Sequence, residues 1–228
     1  MNIESTVRFA HEHVAEYIDV LISTLVMPST RFAPVEAGRD VTLLMGSRTL
    51  GPRLNPKLLI FVSISVVVGV TLNALLPGRE RVPILAAEFV LAVVAWLFYG
   101  TFVHLLCRVL GGRGRYVDTM SVVLQVLATI YVVTAFLSLL AAPALISTIA
   151  GHSSGGVSRE FFQTAITIVL HFFISTVLVA IYVPLAIRHV HGLDALRTVL
   201  AAAPAMAFVW WMVATSLESA TGGFDALR

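Results

Sequence analysis

TMSVVLQVLATIYVVTAFLSLL, residues 119–140, holds no charged side chain across 22 positions. A helix rises 1.5 Å per residue, so this stretch is long enough to cross a hydrocarbon layer of about 30 Å. No alternation of polar and apolar residues runs through it, which excludes an outer-membrane barrel strand. Apolar stretches of similar length lie on either side, from Lys57 to Leu76, Pro83 to Leu110, Glu160 to Ile187 and Ala195 to Ser216. Breakers or charge separate them: Pro77-Gly78-Arg79, Gly111-Gly112-Arg113, Pro143 and His191-Gly192. The expected fold is all-α, a polytopic membrane bundle of five transmembrane helices, with Pro204 kinking the fifth.

The whole chain agrees with its centre. Of 228 residues, 58% are hydrophobic and 12% charged, with a mean hydropathy of +0.91. Soluble domains carry about 25% charged residues, so a soluble fold would lack the polar surface to cover this core. Disorder is excluded for the same reason. Cys107 is the only cysteine, which excludes a disulfide scaffold.

Sidedness follows from the basic residues. Arg8, Arg31, Arg39, Arg48, Arg53, Lys57, Arg108, Arg113, Arg115, Arg188 and Arg197 share one side of a five-span chain; Arg79, Arg81, Arg159 and Arg228 share the other. Eleven against four places the N-terminus in the cytoplasm and the C-terminus outside, in a cell inner (plasma) membrane. Trp210 and Trp211 suit an aromatic belt at the outer face. Residues 1–27 carry Glu4, Glu12, Glu16 and Asp19 and do not read as a cleavable signal. Fourteen arginines to one lysine suit a GC-rich, bacterial genome.

Three segments result: a cytoplasmic N-terminal segment over 1–56, a five-span domain over 57–217 and a short external tail over 218–228. Within the first, Ser5 to Met27 reads as an amphipathic helix. Val7, Ala10, Val14, Tyr17, Ile18, Leu21, Ile22 and Leu25 form its apolar stripe. It is expected flat on the cytoplasmic interface or against a partner helix, with Tyr17, Ile18 and Leu21 as contact residues. Its acidic polar face favours docking onto protein. Pro28 is expected to end it, and a Pro- and Arg-rich connector follows to residue 56.

Membrane helices associate through small and hydrogen-bonding residues. Such stripes recur: Ser65, Gly69 and Asn73; Glu88, Ala92, Ala95 and Tyr99; Ser121, Gln125, Ala128, Ala135 and Ser138; Thr164, Thr167, His171 and Ser175. They have two readings, interhelical hydrogen bonding and a polar path for protons or a solute. Asn73, Glu88, Gln125 and His171 are the candidate intramembrane polar residues, and Glu88 with His171 would make a proton couple if they faced each other. His104, one turn before Arg108, is expected to reach the headgroups.

Other motifs carry less. Gly151-His152-Ser153-Ser154-Gly155 matches G-x-S-x-G, but no strand precedes it, so a flexible loop explains it better than a nucleophile elbow. His189, His191 and Asp194, and His11 with His13, are candidate metal ligands only on an extended backbone, because helical residues two apart diverge. No metal or cofactor is expected. The basic residues are scattered as topology requires, so no nucleic-acid partner is implied.

Gly111-Gly112-Arg113-Gly114-Arg115 is the most specific local feature. Its glycines permit a tight reversal. With Arg108 beside it, two readings stand: a turn with positive-inside charge, or an anionic-headgroup or acidic-partner site built from backbone N–H groups and guanidinium forks.

The run Phe98-Tyr99-Gly100-Thr101-Phe102-Val103-His104-Leu105-Leu106-Cys107-Arg108-Val109-Leu110-Gly111-Gly112-Arg113-Gly114-Arg115-Tyr116, followed by a polar-then-apolar span, resembles the Yip-domain family in its bacterial branch. Met27-Pro28-Ser29-Thr30-Arg31-Phe32 is similar to bacterial members too. The resemblance covers residues 27–217 and implies five spans, a cytoplasmic N-terminus and a glycine-rich turn after the second. Eukaryotic relatives bind prenylated Rab-type GTPases in vesicle traffic; this chain lacks their D-L-Y-G-P segment, so that activity is not carried over. The resemblance supplies no catalytic residue.

The function expected is therefore non-enzymatic: a membrane scaffold or accessory subunit whose partners are membrane lipids and other membrane subunits or copies of itself. The alternative is a small transporter or channel subunit.

Overall fold

A computed structural model describes residues 3–26, 56–76, 85–150 and 159–220. These form six helices and no strand: α1 (Ile3–Val26), α2 (Pro56–Ala74), α3 (Leu85–Val109), α4 (Tyr116–Ala150), α5 (Arg159–His191) and α6 (Ala195–Ala220). Three described stretches are long and apolar enough to cross a membrane: Ala92–Val109, Tyr116–Thr148 and Ile166–His191. Leu58–Ala74 and Ala195–Pro204 are shorter apolar helical stretches.

Helix α4 is the centre. Residues 122–130 are buried without interruption, and α4 packs on α1, α2, α3 and α5 while α6 lies against α3 and α5. Its two faces serve two cores. Val122, Val123, Val126, Leu127 and Ile130 pack with Val103 and Cys107 of α3, Val183 and Ile187 of α5 and Ala201 of α6. Met120, Leu124 and Ala128 pack with Val20 of α1 and Leu58, Phe61, Val66 and Val70 of α2. A helix apolar all round is a helix meant to be surrounded.

Two expected boundaries move. Pro143 was expected to close the third span, yet it lies inside α4, which continues to Ala150. Pro184 likewise lies inside α5, which runs past Ile187 to His191. A proline forfeits one backbone donor, and within a packed bundle neighbouring groups tolerate that loss. Pro204 also lies within α6.

The Ser65, Gly69 and Asn73 stripe of α2 is buried, and its middle lies against α4, where a Cβ at Gly69 would collide with the Tyr131 ring. Trp96 of α3 also meets that ring edge-on, centroids 5.6 Å apart. Glycine is what lets the α2 backbone come this close. Replacing Gly69 with Leu is expected to lower stability by about 2 kcal/mol through overpacking. Thermal unfolding in mild detergent measures it, with the outward Val67→Leu on the same helix as an unaffected control.

Candidate functional site at the glycine turn

Helices α3, α4 and α5 meet at the end of the bundle that carries Gly111–Arg115, and one hydroxyl joins them. Thr119, fully buried in the first turn of α4, donates from Oγ1 to the Arg115 carbonyl at 3.0 Å. Its two lone pairs face two imidazoles: His104 Nδ1 of α3 at 2.9 Å and His191 Nε2 of α5 at 2.8 Å. With the threonine proton spent on a carbonyl, both ring nitrogens must be the donors. The other nitrogen of His191, Nδ1, accepts the Gly114 N–H at 3.3 Å. His191 is therefore neutral with its proton on Nε2, a tautomer assigned from the network.

The turn is built to receive this ring. The Gly111 N–H donates to Arg108 O, that of Gly112 to Cys107 O and that of Arg113 to His191 O, at 3.2, 2.8 and 3.2 Å. A Cβ at Gly112 would lie 2.7 Å from His191 Nδ1, and one at Gly114 would lie 2.8 Å from Val190. Gly111 is glycine for a different reason: its φ of 91° is left-handed, while a Cβ there would meet only the Arg197 guanidinium in ordinary contact at 3.9 Å. Beyond α5, Gly192 turns the chain with φ 63°. Asp194 then caps α6, its Oδ1 accepting the Arg197 N–H at 2.8 Å.

Several expectations change here. The backbone N–H groups of residues 111–114 are consumed by internal acceptors, so they form no open cradle for an anion; what the turn offers outward is guanidinium. His104 does not reach for headgroups but turns in to the Thr119 hydroxyl on a facing helix. His191 is buried on Thr119 while Asp194 pairs with Arg197, so the two serve separate helix ends.

Arg108, Arg113, Arg115, Arg188 and Arg197 are all exposed around this end. Arg108 Nη1 donates to Gly112 O at 3.2 Å, and Arg115 makes a two-pronged pair with Asp118 at 2.8 and 3.1 Å. Arg113 and Arg188 point outward among the described residues without a carboxylate opposite.

The N-terminal contact residues do not act together. The Tyr17 hydroxyl lies 3.1 Å from Ser65 Oγ in the bundle, Leu21 is half-buried and Ile18 is exposed. The apolar stripe is shared between the bundle and the outside because α1 is packed on its neighbours rather than resting beside them.

Deeper polar groups pair across helices. Asn73 Nδ2 donates to Tyr131 Oη at 3.1 Å, and Gln125 Nε2 donates to Thr24 Oγ1 at 2.9 Å. His171, near the Tyr131 ring, has Nδ1 3.4 Å from Ser138 Oγ. Asn73 Oδ1, Gln125 Oε1 and the hydroxyls of Tyr99 and Thr134 are buried without a hydrogen-bond partner among the described residues. A cavity of about 130 Å³ between α3, α4, α5 and α6 is lined by Trp96, Tyr99, Phe172, Ser175, Met206 and Trp210. Sequence reading missed it, because scattered aromatic residues on three helices carry no spacing signal.

The Glu88 side chain, those of His11 and His13, the connector with Pro28 and Met27–Phe32, the Gly151–Gly155 loop and the tail from 221 lie outside the described residues. No protein-family model, curated protein or solved structure matches this chain.

Gly112→Ala is expected to cost about 2 kcal/mol through collision with His191. Gly111→Ala should cost about 1 kcal/mol through its left-handed backbone alone, and Gly111→Asn less. Unfolding midpoints of the three variants in one detergent give the order.

Proposed function

We propose that this chain is a non-enzymatic five-span membrane protein of the bacterial Yip-domain type, with its N-terminus in the cytoplasm. It serves as a scaffold or accessory subunit that binds anionic lipid, protein partners or both at its cytoplasmic end. One observation carries this: five exposed arginines ring a turn whose backbone is fastened from within by His191. Among the described residues, the carboxylates paired with them there are Asp118 and Asp194, each taken by one arginine. A rigid support lets the guanidinium groups face phosphate without first ordering a loop.

Each arginine close to an anionic surface contributes about 1 kcal/mol. Arg113→Ala combined with Arg188→Ala should therefore weaken retention of phosphatidylglycerol or cardiolipin by roughly 30-fold. Native mass spectrometry from mild detergent measures it, and undiminished retention would discard the proposal.

The polar groups inside the bundle favour a second reading, a path for protons or a small solute. Asn73, Tyr131, His171 and Ser138 succeed one another across α2, α4 and α5, and orphaned acceptors at Asn73 and Gln125 could hold water. On that reading His171→Ala abolishes flux in proteoliposomes; on the scaffold reading it leaves lipid retention unchanged.

A further inference from the structure

Three hydrogen bonds from α1 to the bundle have heights that can be counted along its neighbours. Ser65, the partner of Tyr17, is the middle residue of α2, nine residues from Pro56 and nine from Ala74. Gln125, the partner of Thr24, is nine residues from the start of α4 at Tyr116. Tyr182, which donates to the Leu25 carbonyl at 2.9 Å, is nine residues from the end of α5 at His191. Because Thr119 and His191 fasten those ends of α4 and α5 together, the Gln125 and Tyr182 contacts share one level, about 13–14 Å beneath the glycine turn. Between Tyr17 and Leu25 the helix advances only about 12 Å while passing from α2 to α4 to α5. It runs across the bundle, not along it.

That level fixes the surroundings. At 19 residues α2 is about 28 Å long, no longer than the hydrocarbon layer it would cross. If α2 spans, its middle is far from any headgroup, whereas an ordinary interfacial helix sinks only about 5–10 Å into the boundary. The outward face of α1 suits such depth: Val14, Ile18, Ile22 and Val26, spaced by four, are 48–67% exposed. Its end suits it as well. The last carbonyls of a helix normally take water, yet here Leu25 O is taken by Tyr182, and the Thr24 hydroxyl is turned back onto Val20 O at 2.7 Å. Of the acidic residues of this half, Glu16 is half-buried and Asp19 is exposed beside this face, and each has an interaction with another group.

We propose that residues 14–26 lie among the acyl chains of the leaflet on the glycine-turn side, with Val14, Ile18, Ile22 and Val26 as a lipid-chain contact surface. This rests on the five-span reading, and the test separates the two. Ile18→Cys, Ile22→Cys and, on the outward face of α2, Val67→Cys are each labelled with bimane in the full chain; Cys107, fully buried, stays in place. In phosphatidylcholine–phosphatidylglycerol liposomes, labels at 18 and 22 should lose about half their fluorescence to phosphatidylcholine brominated in its chains. They should ignore aqueous iodide, as should the label at 67. If 67 is quenched by the brominated chains but 18 and 22 respond to iodide, or to neither quencher, α1 lies in water or under protein and the inference falls alone. If iodide reaches 67, the five-span reading fails and takes the inference with it.

Discussion

In hydrocarbon a polar side chain has no solvent to return to, so each one in the interior either finds a partner or destabilises the fold. Thr119 shows how much structure that constraint can carry. A hydroxyl has one proton and two lone pairs, and here all three are engaged: a carbonyl below and an imidazole from each of two other helices. Removing any one group strands another in a place water does not reach, which is more costly than never having made the bond. The orientation of His191 follows, and from that ring follow the Gly114 amide and the need for hydrogen in place of Cβ at Gly112.

The same constraint operates further along α4. Gln125 reaches α1, Tyr131 receives Asn73 from α2, and Ser138 stands beside His171 of α5. Each contact joins a different helix to the central one. Apolar packing fills the two cores on its flanks, but Val and Leu do not distinguish one register from the next. The polar contacts do, because a shift of one residue would rotate the donor by about 100° away from its acceptor.

Much of this was legible beforehand. Apolar length located the α2 to α6 helices within a few residues at most ends, and small residues at spacing four marked the face of α2 that meets α4. Prolines misled at Pro143, since the rule that proline ends a helix is drawn from chains in water. The glycine turn was picked out, but its meaning was not. Three glycines permit both an anion cradle and a tight joint, and the choice was made by His191, 77 residues beyond Gly114 in the chain. His104 was likewise read from its neighbour Arg108, while its partner was a threonine on another helix. Periodicity reports which face is buried; it is silent on which atom waits there.

The unequal lengths of the helices have a consequence for the surrounding lipid. Central α4 is shielded by its neighbours, so the lengths that bear on lipid are those of the outer helices. The apolar part of α5, with Val169, Phe173 and Ile181 turned outward, extends over 26 residues, about 39 Å, against 19 in α2, about 28 Å. If both cross, a single bilayer thickness cannot suit both: lipids along α5 stretch or the helix leans, while lipids along α2 meet a matched or slightly thin wall. A protein with one tall flank and one short one imposes a gradient of thickness around itself, and on the five-span reading it sorts into, or creates, a membrane that is itself uneven.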